Sequence, residues 1–316
     1  MTKQLAGRAS LALAALVARR YYLDERSKVE IAGELGLSRF KIARMLDLAR
    51  ETGLVRIEIG HPGLIDVDLS AQMMDRFGLR HAVVADTPDD HVESLRRHLG
   101  QVAAELLAEV IDPADVLGVA WSRTVGAMAK ALPRLPSIPV IQLTGAVAMP
   151  QDDSSSIDIV RDVARAVSGP AYVFYAPFTV PDAATAQALR QQHDVARAFG
   201  QFPKVTKAVV GLGLCSPGQS TIYDTAGQRD QRNLDQLGVC GELSGVFLTA
   251  DGESVHADLT ERMIGVDADQ LRAIPEVTAV AYGVAKIPAV HAALRSGLIS
   301  GLVTHKTLAQ SLLGSA

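Results

Sequence analysis

The sequence predicts an α/β protein: a small, N-terminal all-α helix-turn-helix domain followed by a doubly wound, mostly parallel α/β domain. Three observations carry that prediction. In "KVEIAGELGLSRFKIARMLDL" (residues 28–48) two amphipathic segments are joined through a short turn containing Gly. Beyond residue 69, short Val-rich runs alternate with helical patterns. Charge divides at nearly the same place: residues 1–56 hold 11 Lys+Arg against 6 Asp+Glu, which leaves 20 against 29 for the remainder. A chain of 316 residues, 48% hydrophobic and 21% charged, is long enough for two domains and too apolar to be disordered.

Composition also sets limits. No run approaches the ~20 uninterrupted apolar residues of a membrane span. The N-terminal "MTKQLAGRASLALAALVARRYY" lacks a small-residue cleavage site after its apolar run, so a cytoplasmic location without membrane contact is expected. Cys215 and Cys240 are the only cysteines, too few for a disulfide framework or a structural zinc site, and core thiols are expected of both. No metal, cofactor or catalytic residue is expected.

The elements follow in order. Apolar residues Leu11, Leu13, Leu16 and Val17 predict a first helix over 9–22, which "DERSK" breaks. A second helix is predicted over 28–35. Ala32 must be small where the next helix crosses, Gly36 supplies the positive φ of a sharp turn, and Ser38 caps a third helix. Counted from Lys28 as one, apolar or small residues fall at positions 4, 5, 8, 9, 10, 15 and 18, the spacing of a helix-turn-helix.

Ile31, Leu35, Leu37, Ile42, Met45 and Leu46 would close a core that has no use for the neighbouring cations. The N-terminal part of the second helix of such a unit enters the DNA major groove. Ser38, Arg39, Phe40, Lys41 and Arg44 are therefore placed to meet base edges or phosphates of a double-stranded operator. The bland alternative is a solvated basic face on a helical hairpin. Arg50 and Arg56 fit either phosphate contact or plain surface charge. "GLVRIEIG" (53–60) reads as a short strand, a wing, and "HPGLIDVDLS" puts the domain boundary near His61, dividing the chain into 1–60 and 61–316.

In the larger part, "HAVVAD", "VLGVAWS", "PVIQLTG", "AYVFYAP", "KAVVGLGLC", "TAVAYG" and "GLVTH" are predicted strands of a parallel sheet buried on both faces. Ligands of such sheets bind beyond the carboxyl ends of the strands. Several motifs fall there. In "GVAWSRTVGAMAKAL" (118–132), Ser122, Arg123 and Thr124 open a helix whose free N–H groups suit an anion such as a phosphate. In "GLGLCSPGQS" (211–220), Gly213 and Gly218 let a ligand approach the backbone, although Gly-rich turns also occur with no ligand. Lys286 stands in a first helical turn, where it opposes the dipole and either faces an anionic ligand or is simply solvated. Glu242, in "GVCGELSGVFLTADG", either accepts hydrogen bonds from sugar hydroxyls or lies on the surface.

Together these residues resemble the SorC/DeoR-type sugar-binding transcriptional regulators over nearly the whole chain. "YYLDERSKVEIAGELGLSRFKIARMLDLARETGLVRIEI" matches their DNA-binding part. "GVAWSRTV", "VIQLTGAV", "GLGLCSPG", "GELSGVFLTADG" and "VAKIPAVHAALRSGLISGLVTH" occur in the family's order. The resemblance implies an effector domain related in fold to sugar-phosphate isomerases and deaminases. It places the phosphate-type loop on Trp121, Ser122, Arg123 and Thr124, the strand-end polar group on Gln142, the acidic ligand group on Glu242 and the family lysine on Lys286.

Departures from the family pattern are Ser122-Arg123 in place of Gly-Thr, Ala146 in place of a second Gly, Glu242 in place of Asp, and His305-Lys306 in place of an acidic group. Arg123 fits a phosphorylated ligand, or pairs with an acid and leaves an unphosphorylated polyol. The expectation is a non-enzymatic regulator of carbohydrate metabolism that binds operator DNA and a small sugar, polyol or sugar-phosphate effector, as a homodimer or homotetramer. The alternative is an isomerase- or deaminase-like enzyme with a DNA-binding arm.

Overall fold

The computed structural model describes residues 8–55, 65–87, 91–147 and 155–314. The chain forms two compact units, Met1–Gly60 and His61–Ala316. Among the described residues no helix is long and apolar enough to cross a membrane.

The first unit is built from α1 (Arg8–Tyr22), α2 (Lys28–Leu35) and α3 (Arg39–Glu51). Its core is small: Ala14, Val17, Ala18, Ile31, Ile42, Leu46 and Ala49 are buried, with Leu35, Leu37 and Met45 packed partly buried against them. A core of that size is fixed by its ends. Ser27 and Glu30 form a reciprocal capping box on α2, the Ser27 N–H donating to Glu30 at 2.8 Å and the Glu30 N–H to Ser27 at 3.3 Å. Gly36 turns the chain at φ 63°, its N–H donating to the Ala32 carbonyl, and the Ser38 hydroxyl accepts from the Lys41 N–H at 3.2 Å. The strand expected over 53–60, with Arg56, and the boundary at His61 lie almost wholly outside the described residues.

The second unit runs α4 (Val67–Phe77), β1 (His81–Ala85), α5 (Val92–Val110), β2 (Leu117–Val119), α6 (Arg123–Ala131), β3 (Val140–Gln142), α7 (Ser156–Val167), β4 (Ala171–Tyr172), α8 (Ala183–Arg190), α9 (His193–Phe199) and β5 (Lys207–Leu214). It continues with α10 (Thr221–Thr225), α11 (Gln228–Gln236), β6 (Val239–Leu243), β7 (Val246–Thr249), β8 (Ser254–Val255), α12 (Ala268–Arg272), β9 (Glu276–Val280), α13 (Ile287–Ser296), β10 (Gly301–His305) and α14 (Lys306–Gly314).

Among the described residues seven strands pair in parallel in the order β1, β10, β9, β5, β2, β3, β4. They are the seven Val-rich runs. Neighbouring residues of one strand enter different cores. Val209, Val280 and Val303 join α5, α6 and α7 on one face, whereas Val210, Ala279 and Leu302 join α4, α13 and α14 on the other. Burial on both faces is why these runs lack polar alternation.

One part of the sheet is antiparallel. The last residues of β5 leave their parallel neighbours and pair with β6, Gly213 opposite Glu242, and β6 continues into β7 and β8. The β6–β7 turn uses Ser244 at φ 51° and Gly245 at φ 99°. Two successive positive φ values suit a tight hairpin turn. This hairpin carries Glu242 to the carboxyl end of the central strand.

Candidate functional site

Two groups of residues stand out, one in each unit. In the first unit, Ser38, Arg39, Phe40, Lys41 and Arg44 are all exposed, Phe40 at 84%. Ile42 and Leu46 bury the opposite side of α3, so packing orients the helix and leaves this face outward. Elsewhere in the unit Arg20 pairs with Glu34, Arg26 with Glu30 and Arg50 with Asp47, Lys28 lies over the Tyr21 ring, and Arg19 pairs with no carboxylate among the described residues. Arg39, Lys41 and Arg44 pair with no carboxylate among the described residues. Three such cations beside an exposed Phe at a helix N-terminus offer donors for phosphate oxygens and base edges. The partnering of Arg50 with Asp47 takes that residue's charge up locally.

In the second unit a cavity of about 390 Å³ opens beyond the carboxyl ends of β2, β5 and β9. Trp121, Ser122, Arg123, Thr124, Gly213, Glu242 and Lys286 all line it, seven of the eight residues expected to bind an effector. Its size is that of a small-molecule site.

Ser122 caps α6, its hydroxyl accepting from the Val125 N–H at 3.0 Å. The Trp121 N–H donates to the Thr144 hydroxyl at 2.8 Å and fixes the strand end that feeds the loop. Across the cavity, Lys286 ends a single 3-10 turn (Val284–Lys286) leading into α13. Its Nζ donates to the Leu212 carbonyl at 2.9 Å and lies 5.0 Å from the centroid of the Tyr282 ring. Burial lowers the Lys286 pKa, and the Glu242 carboxylate opposes that shift.

Glu242 is buried. One oxygen accepts from the Ser220 hydroxyl at 3.0 Å and the other from the Gly245 N–H at 3.1 Å. Burial raises its pKa, while those two hydrogen bonds and the charge of Lys286 hold it down. Ser244 also lines the cavity, and its buried hydroxyl has no hydrogen-bond partner among the described residues. A carboxylate, hydroxyls and cations around a space of this size match the donors and acceptors of a small polyhydroxylated anion.

The structure corrects several expectations. Gln142 is not in the cavity. It is fully buried, its amide nitrogen donating to the Thr144 carbonyl at 2.9 Å and its oxygen accepting from the Phe174 N–H at 3.1 Å. Those bonds tie β3 to the segment after β4 and hold the side chain in the core, away from the cavity lining. Gly213 lines the cavity, but a Cβ there would collide with the Glu242 carboxylate and with Ser220. The glycine makes room for the protein's own acid rather than for a ligand.

Cys215 and Cys240 are half-buried rather than enclosed, and burial pushes the Cys215 thiol well above its ordinary range. Neither departure at the end of β10 lines the cavity: His305 Nε2 accepts from the N–H of cavity-lining Gly283 at 3.0 Å, and Lys306 pairs with Asp86 and Asp66 at 2.9 and 3.2 Å.

Sequence reasoning missed Arg96 and Tyr282. Both line the cavity, and Arg96 Nε donates to the Tyr282 hydroxyl at 3.4 Å. Arg96 lies on α5, far along the chain from the loops, and only the packing of α5 on α6 brings it there. Tyr282 follows β9 directly, and an aromatic residue leaving a strand beside Gly283 was the available signal.

Comparison with known proteins converges on one group. Residues 64–314 match the Sugar-bind family, described as "Putative sugar-binding domain". The chain is 28% identical over 301 residues to the uncharacterized transcriptional regulator YjhU of Escherichia coli (strain K12), covering 93% of this chain and 92% of that protein. It is 29% identical over 311 residues to the transcriptional regulator LsrR of Klebsiella pneumoniae subsp. pneumoniae, covering 96% and 93%. The crystal structure of the full-length sorbitol operon regulator SorC from Klebsiella pneumoniae superposes with a TM-score of 0.73 at 23% identity, covering 96% of this chain and 99% of that one.

Proposed function

This chain belongs to the SorC/DeoR-type sugar-binding transcriptional regulators, and we propose that residues 1–60 read an operator while residues 61–316 bind a small carbohydrate effector that modulates that reading. The relatives support both halves: LsrR and YjhU are named as transcriptional regulators, and SorC as the regulator of a sorbitol operon. Ser38, Arg39, Phe40, Lys41 and Arg44 contact DNA. Trp121, Ser122, Arg123, Thr124, Glu242 and Lys286 contact the effector, joined by Arg96. One small module buries too little surface for tight specific binding, so a homodimer or homotetramer on repeated half-sites completes the proposal.

The observation that carries the reading is a buried carboxylate held open by Gly213 and ringed by Arg96, Arg123 and Lys286 at the carboxyl edge of the sheet. Glu242 accepts from sugar hydroxyls, and the cations favour a phosphorylated sugar over a neutral polyol. Thermal melting against matched sugars, polyols and sugar phosphates tests this. A ligand at 100 times its Kd adds about 2.7 kcal/mol of stability. Arg123→Ala is expected to weaken phosphorylated ligands only, and equal loss for neutral polyols would assign Arg123 a structural role.

A second reading rests on the raised pKa of Glu242, which suits a general base of an isomerase- or deaminase-like enzyme. Both carboxylate oxygens already accept hydrogen bonds from the protein, which favours binding over proton abstraction. Steady turnover of ribose 5-phosphate or glucosamine 6-phosphate by the purified protein would decide for the enzyme.

A further inference from the structure

The cavity does not end at Arg123. A second cavity of about 360 Å³ lies in the groove between α5 and α6, and Arg96, Trp121, Ser122 and Arg123 line both. Each helix offers one face to the groove. On α6 that face includes Gly126, Ala127 and Ala131, small residues that leave room between the helices. Gly100 holds the crossing, since a Cβ there would stand 2.7 Å from that of Ala127.

The charge of the groove is unlike that of the body around it. Arg97 from α5 and Lys130 from α6 join Arg96 and Arg123, and Glu93, the one carboxylate lining the groove among the described residues, pairs with Arg96 at 3.4 Å. Residues 57–316 carry 20 Lys+Arg against 29 Asp+Glu, so a groove with four cations inverts the local balance. Arg97 and Lys130 are exposed and pair with no carboxylate among the described residues. Like charges gathered on two facing helices raise the energy of the folded chain unless an anion lies between them.

We infer that this groove is a second anion subsite continuous with the effector cavity, and that the preferred ligand is a small carbohydrate carrying two anionic groups. One group lies against Lys286 and the start of α6, the other is reached by Arg97 and Lys130, and Arg96 and Arg123 stand between them. The inference rests on the carbohydrate reading of the main cavity and adds the second charge. Two phosphates, or a phosphate and a carboxylate, supply the same chemistry.

The test measures the affinity of the full chain for matched series of hexoses and pentoses as free sugar, monophosphate, bisphosphate and phosphorylated sugar acid. For a skeleton that binds as the monophosphate, the dianionic forms are expected to bind at least about tenfold tighter. Bisphosphate and phosphorylated acid are ranked in the same series, which identifies the second group. In the variant carrying both Arg97→Ala and Lys130→Ala, the ratio of dianionic to monophosphate affinity is expected to fall to near one. Monophosphates that bind as tightly as their dianionic partners, or a ratio unchanged in the variant, would overturn the inference while leaving the carbohydrate reading in place. Binding by no member of any series removes both. Loss of DNA affinity in the ligand-free variant would assign the groove to nucleic-acid phosphates and overturn the inference as well.

Discussion

The cations of α3 and Lys286 of the second unit's cavity are held in opposite ways. On α3, Arg39, Lys41 and Arg44 stand in water on a module whose buried core is seven small or branched residues. In the cavity, Lys286 is largely withdrawn from water, bonded to a backbone carbonyl, set over a Tyr ring and opposed to a buried carboxylate. Exposed charges act through a long-range field that salt screens over roughly 8 Å at physiological ionic strength. A buried charge acts through fixed short contacts that salt barely reaches. The first arrangement suits a polymer of phosphates met in many registers, and the second suits one small molecule met in one pose.

Predictions that separate the two follow from the largest effect to the smallest. Lys286→Ala removes a cation whose partners are already in place, and effector affinity measured by calorimetry is expected to fall by roughly a hundredfold with DNA affinity unchanged. Unchanged effector affinity would remove Lys286 from the site. Arg44→Ala is expected to weaken operator binding by about tenfold and to lower the salt slope by about one, with effector-induced melting shifts intact. Loss of those shifts would show that the two kinds of cation do not divide the work between the units.

Ser38→Ala removes the cap that presents Arg39 and Lys41, at a cost of about 1 kcal/mol. In the full chain, amide exchange along α3 is expected to accelerate by about fivefold while the sheet of the second unit is unaffected.

The smallest effect concerns Glu242. Burial raises its pKa above 4.5, so over the window between 4.5 and the raised value the folded chain holds a proton that the unfolded chain has released. Wild type therefore gains melting temperature relative to Glu242→Gln as pH falls through that window, and the difference levels off below about 4.5. The opposite slope would mean that attraction to Lys286 outweighs burial.

How much of this was legible in the sequence depends on whether a feature is local. Gly36 and Ser38 sit directly at the ends of the helices they bound, so the three-helix unit could be read from spacing alone, although the Ser27 cap was not. The parallel strands could be read because burial on both faces leaves unbroken runs such as "KAVVGLGL". The β6–β8 hairpin was hidden because its turn, Ser244-Gly245, interrupts a Gly-rich stretch that reads equally well as a loop. Glu242 was legible as a residue, but its burial was not, since that depends on Gly213 opposite it and Ser220 beside it. Gln142 shows the converse: a polar residue at a strand end looks available until the backbone of Phe174 claims it.

The central claim is that a salt-sensitive DNA face and a carbohydrate cavity belong to one switch. It is tested by titrating the full chain onto DNA from upstream of its own gene at several salt concentrations, with and without a sugar phosphate that raises its melting temperature. The expected result is a linear fall of log affinity with log salt, preference for that DNA over random sequence, and displacement of the whole line by the ligand at nearly constant slope. A chain with no such preference, or a line that the bound ligand leaves in place, would contradict the account.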